Sequence, residues 1–318
     1  MNVLITGAAG FIGSHLCERL LSQGHKVTGL DNFDPFYGRQ IKQKNLVQSS
    51  QSTDFSFVEA DIRNADLMNE LFSKNKFAVV FHLAARAGVR PSIEDPVGYI
   101  DVNVNGTTVL LEATKKTGTK KIIFASSSSV YGNNSKIPFA ETDNVDFPIS
   151  PYAASKKAAE LVCYTYSHLY DIDISCMRFF TVYGSRQRPD LAIHKFTRLI
   201  LESKPIDIYG NGSTSRDYTY IDDIIDGLVS AMSKMDGYKI YNLGNSHPIK
   251  LDTLISEIET ATGKQAKRKY LPVQPGDVER TYADISKAQK ELGFNPKTPI
   301  EQGLIKFAEW FMAQKTFS

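Results

Sequence analysis

The first 31 residues restrict the possible fold more than any other part of the sequence. A short apolar run at residues 3–5 ends at a glycine-rich turn at residues 7–10. Apolar residues then recur at helical spacing from Phe11 to about Ser22, and a second strand pattern follows and ends at Asp31. A strand, a glycine turn, a helix and a second strand together form the βαβ unit of a parallel sheet.

The alternation of strand and helix patterns continues to residue 178. Strand patterns lie at residues 55–59, 78–83, 121–126 and 172–178. Helical patterns lie at about residues 65–73, 99–117, 152–170, 221–234, 250–262 and 299–314. This alternation predicts an α/β fold with a doubly wound parallel sheet. Residues 179–220 contain many Gly, Pro and Arg residues and few periodic apolar positions, so we expect loops around a ligand there.

Composition and charge exclude several classes of protein. The 37 Lys and Arg residues nearly balance the 35 Asp and Glu residues, which gives no long-range field to attract nucleic acid or an anionic membrane. No stretch approaches the ~18 apolar residues of a membrane span, and the first residues do not resemble a signal peptide. Three cysteines without a CxxC pair are typical of a reducing cytoplasm, so we expect a soluble, cytoplasmic protein. The six histidines lack ligand spacing, so we expect no metal site.

The glycines of the first turn predict a dinucleotide site. Gly7, Gly10 and Gly13 permit, in that order, a tight turn, close approach of the backbone to a pyrophosphate, and close packing of helix on strand. The N–H groups and the dipole of the helix favour phosphates at the same place. A carboxylate at Asp31 accepts hydrogen bonds from the ribose hydroxyls of adenosine and repels a 2′-phosphate, which favours NAD over NADP. The alternative is a flavodoxin-like turn that binds no ligand.

A second motif predicts catalysis. Tyr152 and Lys156 are four residues apart at the start of a helical pattern, so both side chains lie on one face. We expect the ammonium to lower the pKa of the phenol, so that the tyrosine can take a proton from a substrate hydroxyl while a hydride leaves the same carbon. The serine run at residues 126–129 ends a strand and can supply a hydroxyl to the same oxygen. In this order, after a glycine turn, these residues predict a site for hydride transfer.

Five segments match the sequence pattern of one enzyme family. They are Thr6-Gly-Ala-Ala-Gly-Phe-Ile-Gly13, His82-Leu-Ala-Ala85, Asn103-Val-Asn-Gly-Thr107, Ser126 to Gly132, and Tyr152 to Lys156. Together they resemble the extended short-chain dehydrogenase/reductase family, and within it the nucleotide-sugar 4-epimerases and dehydratases. The similarity extends to residues 216–222 and 275–277. The resemblance implies tightly bound NAD, a UDP-sugar substrate, and a homodimer formed through the helices at about 99–117 and 152–170.

The resemblance also implies two interleaved domains. The Rossmann domain that binds NAD comprises residues 1–178 with return segments at about 214–244 and 278–290. The smaller α/β domain that binds the nucleotide sugar comprises about 179–213, 245–277 and 291–318.

Motifs and resemblance together assign the site residues. The catalytic residues are Ser127, Tyr152 and Lys156. The cofactor-binding residues are Gly7, Gly10, Phe11, Ile12, Gly13, Asp31, Asn32, Asp61, Ile62, Leu83, Ala84, Ala85, Asn103, Tyr152 and Lys156. The substrate-binding residues are Arg90, Ser127, Ser128, Thr181, Arg188, Tyr209, Arg216 and Asp277. Among these, Asn103 is expected to help place the tyrosine and the lysine, and Tyr209 is either a stacking partner for uracil or an ordinary aromatic at the end of a strand.

The residues after the serine strand discriminate between reactions. In the resembling dehydratases an Asp-Glu pair occupies the positions of Ser128 and Ser129, and in the uronate decarboxylases a glutamate occupies the second position. Serine hydroxyls have pKa values far above neutral and cannot do that acid–base chemistry. We therefore expect simple 4-epimerisation through a 4-keto intermediate.

The sugar is indicated by residues 178–190, which resemble the corresponding segment of the UDP-glucuronate 4-epimerases. Glucose/galactose epimerases commonly have asparagine where Thr181 stands. A guanidinium at Arg188 can hold a uronate carboxylate with two charge-assisted hydrogen bonds and so suppress decarboxylation of the 4-keto sugar. We expect conversion of UDP-glucuronate to UDP-galacturonate. The alternatives are a 4-epimerase of neutral UDP-sugars (UDP-glucose or UDP-N-acetylglucosamine), a non-catalytic regulator that binds NAD, and an Arg188 that contacts only phosphate or protein.

Two positions depart from the family pattern. Ser185 stands where this segment often has proline. Arg86 stands where glutamine or lysine is frequent, and it lies near the expected nicotinamide and phosphate region.

Overall fold

The computed structural model describes residues 1–272 and 279–315, and strands and helices alternate through most of them. The strands are β1 (Asn2–Thr6), β2 (Lys26–Asp31), β3 (Phe55–Glu59), β4 (Val79–His82), β5 (Lys121–Ser127), β6 (Asp173–Phe179), β7 (Thr181–Tyr183), β8 (Pro205–Tyr209), β9 (Ser215–Tyr220), β10 (Tyr238–Leu243), β11 (Pro248–Lys250) and β12 (Lys267–Leu271).

The helices cover both faces of the strands. They are α1 (Phe11–Ser22), α2 (Arg39–Leu46), α3 (Ala65–Lys74), α4 (Val89–Glu94), α5 (Pro96–Ile100), α6 (Gly106–Thr117), α7 (Pro151–Tyr170), α8 (Ala192–Leu201), α9 (Ile221–Ser233), α10 (Leu251–Thr262), α11 (Ser286–Leu292) and α12 (Ile300–Lys315). A π-helical turn, Asp101–Asn105, joins α5 to α6.

A seven-stranded sheet forms the centre of the molecule. Its strand order is β10-β6-β5-β4-β1-β2-β3, and every neighbouring pair is parallel. Ile5 of β1 aligns with Gly29 of β2 on one side and with Phe81 of β4 on the other. The strand order reverses between β1 and β4, so a crevice opens there at the carboxyl ends of the strands. The predicted doubly wound α/β sheet is confirmed.

Two small sheets are built from the later part of the chain. Strand β9 pairs parallel to β7 and antiparallel to β11, while β12 pairs parallel to β8. Between these strands the chain returns to the large sheet, because β10 pairs with β6 at its edge. The chain therefore passes repeatedly between the large sheet and the small ones, which brings their side chains around a common crevice.

The expectation of loops throughout residues 179–220 is wrong. The structure places β7, α8, β8 and β9 there. Helix α8 buries Ile193, Phe196 and Ile200, and these three residues have helical spacing in the sequence. The Gly, Pro and Arg residues that suggested loops are concentrated between these elements, where they form the turns that connect them.

Two further kinds of feature are not found within residues 1–272 and 279–315. No helix there is long and apolar enough to cross a lipid bilayer. No group of His, Cys, Asp or Glu side chains there is arranged to hold a metal ion.

A buried ion pair connects helix α7 to strand β6 of the large sheet. Arg178 of β6 donates from Nε and Nη2 to the two carboxylate oxygens of Glu160 at 2.9 and 2.8 Å, and both side chains are 1% exposed. Ser126 donates to the same carboxylate at 2.6 Å, and Arg178 also donates to the Tyr131 hydroxyl at 3.0 Å. Because both charges are fully paired, the network holds the end of β5 against α7.

Replacing Arg178 with Met would leave the Glu160 carboxylate buried without its counter-ion. We expect the free energy of unfolding to fall by about 3–5 kcal/mol, measured by urea denaturation followed by circular dichroism. The control is Arg39→Met, which breaks an exposed pair with Glu59 and should have little effect. Similar losses in the two variants would contradict the structural importance of the buried pair.

Candidate active site

A cavity of about 500 Å³ lies at the carboxyl ends of β1, β2, β4 and β5. It occupies the crevice at which the strand order reverses. The residues singled out from the sequence that line it are Gly7, Gly10, Phe11, Ile12, Gly13, Asp31, Asn32, Asp61, Ile62, Leu83, Ala84, Ala85, Ser127, Ser128, Tyr152, Lys156, Thr181 and Arg188. The fold therefore brings the glycine turn and the Tyr-Lys pair into one cavity.

The glycine turn has no room for side chains. Gly7 has φ +74°, and a Cβ there would lie 2.8 Å from the Ala84 nitrogen. A Cβ on Gly13 would lie 2.1 Å from the Gly7 carbonyl oxygen. Helix α1 starts directly after Gly10, without a side chain that caps its first N–H groups. These N–H groups and the positive end of the helix dipole suit the pyrophosphate of a dinucleotide.

The carboxylate of Asp31 is buried beside this turn. It accepts hydrogen bonds from the backbone nitrogens of Ala9 at 3.2 Å and Phe33 at 2.8 Å. The ammonium of Lys42 lies 3.6 Å from it and 5.0 Å from the centre of the Tyr37 ring. Lys42 and Tyr37 line the cavity, but neither was identified from the sequence, because Lys42 belongs to α2, which is mostly polar, and Tyr37 lies in the turn before that helix.

Asp61 lies at the same end of the cavity, after β3. It accepts a hydrogen bond from the Asn32 amide at 3.0 Å and two from the Arg63 guanidinium at 2.9 and 2.7 Å. The hydrogen bonds from Arg63 lower the pKa of Asp61 to about 2. Asp61 is therefore a fixed negative charge at neutral pH, held at the rim where an adenosine would lie.

Local sequence explains why the Tyr-Lys pair faces the cavity. Ser150 caps α7 by accepting a hydrogen bond from the Ala153 nitrogen at 3.1 Å, and Pro151 occupies the first helical position. Tyr152 therefore lies in the first turn of α7, and Lys156 lies one turn later. The Tyr152 hydroxyl is hydrogen bonded to Ser127 at the end of β5.

The expected effect of Lys156 on the tyrosine is wrong for this structure. Burial raises the pKa of Tyr152, and the hydrogen bond to Ser127 and the positive charge of Arg188 offset only part of that increase. The Lys156 ammonium instead donates to the Ala125 carbonyl at 2.8 Å, and burial lowers its pKa to about 8. The prediction failed because the sequence does not show how completely both side chains are buried.

Asn103 contacts the first turn of α7 and is not among the residues that line the cavity. It is in the π-helical turn, and a continuous helix was expected there. Its Oδ1 accepts from the Arg86 nitrogen at 2.8 Å, and its Nδ2 donates to the Arg86 carbonyl and to Ser155 Oγ, both at 2.9 Å. Asn103 therefore ties the segment after β4 to the first turn of α7, as π-helical turns at functional sites often do.

Arg86 and Tyr99 form one wall of the cavity beside Tyr152. The Arg86 guanidinium pairs with Asp95 and lies 5.2 Å from the centre of the Tyr99 ring. The Tyr99 ring in turn meets the Tyr152 ring edge to face, with 6.2 Å between their centres. Sequence analysis did not identify Tyr99, since one aromatic in a helical pattern gives no signal of its own.

Arg188 reaches the cavity from the turn after β7. Its Nε and Nη2 donate to the Asp190 carboxylate at 3.0 and 2.7 Å, and its Nη1 donates to the Ala87 carbonyl at 3.3 Å. The guanidinium also lies 5.1 Å from the centre of the Phe36 ring. Its side chain is 15% exposed, so a fixed cation faces the same space as Tyr152.

Three of the predicted substrate contacts, Arg90, Tyr209 and Arg216, are not among the residues that line this cavity. The Arg90 guanidinium lies 4.9 Å from the centre of the Tyr209 ring. Arg216 of β9 donates from Nη1 to the Ser215 carbonyl at 2.9 Å and to the Glu279 carbonyl at 3.3 Å. Asp277 lies outside the described residues.

Comparison with known proteins agrees with this site. Residues 4–307 match the sequence profile of the family described as GDP-mannose 4,6 dehydratase. The chain is 47% identical over 308 residues to the UDP-glucuronate 4-epimerase of Thermodesulfobacterium geofontis, covering 96% of this chain and 95% of that relative.

Two solved structures are similar over nearly the whole chain. The UDP-glucuronic acid 4-epimerase of Bacillus cereus, in complex with UDP-glucuronic acid and NAD, has a TM-score of 0.93 and 38% identity, covering 99% of this chain and 100% of that one. The UDP-glucose 4-epimerase of Thermotoga maritima, with UDP-glucose, has a TM-score of 0.91 and 34% identity, covering 100% of each chain. Both uronate and neutral-sugar enzymes therefore share this fold.

The low pKa of Lys156 predicts how stability depends on pH. Between about pH 8 and the ordinary lysine value of 10.5, the unfolded chain holds a proton that the folded chain has lost. The free energy of unfolding of the wild type should therefore rise relative to that of Lys156→Met as the pH increases, by about 2 kcal/mol from pH 8 to 10. Urea denaturation of both proteins across this range measures the difference, and a constant difference would contradict a buried, perturbed lysine.

Proposed function

The chain belongs to the GDP-mannose 4,6 dehydratase family of extended short-chain dehydrogenases/reductases, and we propose that it is an NAD-dependent 4-epimerase that interconverts UDP-glucuronate and UDP-galacturonate. One observation gives this proposal its main support. A single cavity is lined by the glycine turn, by Ser127, Tyr152 and Lys156, and by the cation of Arg188. These are a dinucleotide site, a proton-transfer site and an anion site next to one another.

The residues around the glycine turn fit NAD. The backbone N–H groups of the first turn of α1 would hold the pyrophosphate, and Asp31 would accept hydrogen bonds from the adenosine ribose. NAD, when bound, takes a hydride from carbon 4 of the sugar and returns it to the opposite face of the ring. The chain itself has to hold the sugar, move the hydroxyl proton and exclude water.

The proton of the sugar 4-hydroxyl is moved by Tyr152. Its phenol is buried, and the hydrogen bond from Ser127 and the charge of Arg188 both favour its anionic form. Burial opposes this effect, so the phenol keeps the proton taken from the 4-hydroxyl until the hydride returns to carbon 4, and then gives that proton back to the sugar oxygen. Lys156 adds a second buried basic group one helical turn away and is fixed by the Ala125 carbonyl.

The cavity favours epimerisation over loss of water. Elimination needs a carboxylate or a carboxylic acid near carbons 5 and 6 of the sugar. Ser128 and Ser129 line the cavity at the positions where the resembling dehydratases have acidic residues. Among the described residues that line it, the carboxylates are Asp31, Asp34 and Asp61, which lie at the ends of β2 and β3 or shortly after them, near the glycine turn.

Arg188 is the group that selects a uronate. The Asp190 carboxylate accepts hydrogen bonds from Nε and Nη2 on one edge of the guanidinium. On the other edge, Nη1 donates to the carbonyl of Ala87 at the cavity wall. We place the carboxylate of the sugar against this second edge, with the hydroxyl of Thr181 as a further donor. A guanidinium binds a carboxylate in a fixed plane, which prevents the 4-keto uronate from turning into the geometry that releases carbon dioxide.

The uridine diphosphate half lies beyond the cavity in this proposal. Arg90 and Tyr209 pack against each other, and Arg216 lies on β9 of a small sheet. Two guanidinium groups and an aromatic ring are suited to a diphosphate and a uracil. Asp277 is proposed as a contact to the uridine ribose on the family resemblance alone.

An apolar surface supports a homodimer. Large apolar side chains are exposed on α7, which forms part of the expected subunit contact, and on α5, which lies at the start of the other expected segment at about 99–117; Val97 of α5 is 78% exposed. The others are Ile100, Leu161, Tyr164 and Leu169. Exposed apolar patches of this kind commonly mark protein interfaces. We also propose a cytoplasmic location, which suits the three cysteines, all of them free thiols.

Purified protein incubated with UDP-glucuronate should form UDP-galacturonate without added NAD. Tyr152→Phe keeps the ring and removes the hydroxyl, so we expect kcat to fall by about 10²–10⁴-fold, measured by chromatography of the sugar nucleotides. The control Tyr270→Phe removes an exposed hydroxyl and should retain full activity. Faster turnover of UDP-glucose than of UDP-glucuronate would favour the neutral-sugar alternative.

Replacing Arg188 with His removes the planar guanidinium, whose paired N–H groups keep the sugar carboxylate in one plane. We expect more carbon dioxide released per molecule of UDP-galacturonate formed, measured with substrate labelled in the carboxylate carbon. Arg268→His, a change at a residue that does not line the cavity, is the control. An unchanged ratio in Arg188→His would show that the guanidinium does not hold the carboxylate.

A further inference from the structure

The turn that carries Arg188 is fastened to helix α1 by two side-chain contacts. Nε2 of His15 lies 3.0 Å from Oγ of Ser185, and Oε1 of Glu18 lies 2.7 Å from Nη2 of Arg186. His15 and Glu18 both belong to α1, whose first residues line the cavity. The helix at the dinucleotide site therefore also supports the turn that reaches the sugar site.

The direction of the His15 hydrogen bonds follows from their partners. Nδ1 lies 2.9 Å from the Phe11 carbonyl, and because a carbonyl only accepts, Nδ1 carries the proton. Nε2 of the neutral ring is then an acceptor, and the Ser185 hydroxyl is the donor. Burial, together with the nearby positive charge of Arg186, lowers the pKa of His15 to about 4, so the ring is neutral near pH 7. This contact requires a hydroxyl at position 185.

The backbone of the same turn is held in an uncommon conformation. Arg186 has φ +64°, the left-handed region that non-glycine residues seldom adopt. The Gln187 nitrogen donates to the Gly184 carbonyl, and the Gln187 amide donates to the Val182 carbonyl, both at 3.1 Å. Such a conformation persists only where the surrounding contacts hold it. Two of the contacts that hold this turn come from α1, namely His15 with Ser185 and Glu18 with Arg186.

We propose that Ser185 and His15 are positioning residues for Arg188. They fix the turn on α1 so that the guanidinium, three residues further along the chain, faces the sugar carboxylate. The His15 ring also packs edge to face against Phe11, a residue of the cavity wall, with 5.8 Å between ring centres. The inference rests on the proposed function, because the role of Arg188 toward a uronate is assigned there. A chain with proline at position 185 could not make this contact.

The positioning role has a kinetic signature. The Arg188 guanidinium binds the carboxylate equally well in the bound substrate and in the transition state at carbon 4. A guanidinium that is held less firmly therefore raises KM and changes kcat little. A loosely held carboxylate also turns more freely, which increases carbon dioxide release. A residue needed only for folding would lower the melting temperature without changing KM or this ratio.

The test compares Ser185→Ala, Ser185→Thr, His15→Phe and the double variant Ser185→Ala/His15→Phe. We expect Ser185→Ala and His15→Phe each to raise KM for UDP-glucuronate about fivefold, the value of one neutral hydrogen bond, with kcat within about twofold and bound NAD unchanged. The double variant should resemble either single one, because both remove the same contact. Ser185→Thr keeps the hydroxyl and should behave as the wild type.

The matched control is Ser22→Ala, which removes from the same helix a hydroxyl that donates to the Arg19 carbonyl one turn earlier. Unchanged KM and carbon dioxide release in Ser185→Ala, or a lower melting temperature alone, would overturn the inference. If Arg188→His alters the amount of carbon dioxide released per UDP-galacturonate formed and Ser185→Ala does not, Arg188 does bind the carboxylate, but its positioning by α1 is wrong. Failure of the proposed function is recognised separately, as no turnover of UDP-glucuronate by the wild type, and would overturn this inference as well.

Discussion

The structure depends on Tyr152, a phenol buried at the carboxyl end of a parallel sheet, which in the proposed function exchanges a proton with the sugar. Burial alone holds the proton on Tyr152. Ser127 and Arg188 oppose that effect from two directions, one through a hydrogen bond from the end of β5 and the other through charge from the turn after β7. The reversal of strand order places these elements around one crevice, so the chemistry follows from the topology of the sheet.

Helices α1 and α7 each support more than one part of the site. Helix α1 presents its first N–H groups to the dinucleotide site, and one turn later His15 fixes the turn that carries Arg188. Helix α7 carries Tyr152 and Lys156 on one face, and it is held to the sheet by the fully paired charges of Glu160 and Arg178. Rigid elements of this kind keep reacting groups within the small tolerances that proton and hydride transfer require.

Sequence patterns were sufficient for six strands of the large sheet because local signals coincide there, whereas its edge strand β10 was not predicted. Apolar periods, the glycine turn and the Ser-Pro start of α7 all favour the same elements. Other features depend on tertiary contacts. The π-helical turn at Asn103 has no local signal, and the place of Lys42 beside Asp31 depends on how a polar helix packs. The apolar spacing of helix α8 is present in the sequence, but the Gly and Pro residues of the flanking turns indicated loops there instead. The raised pKa of Tyr152 could not be predicted because burial is a property of the whole fold.

The central claim is that one hydride leaves carbon 4 and returns to the same carbon, while the chain moves only the hydroxyl proton. UDP-glucuronate deuterated at carbon 4 tests it most directly, by mass spectrometry and NMR of the UDP-galacturonate formed in ordinary water. The account predicts full retention of deuterium at carbon 4 and no uptake of solvent hydrogen at carbon 5. Loss of the label from carbon 4, or exchange at carbon 5, would contradict it.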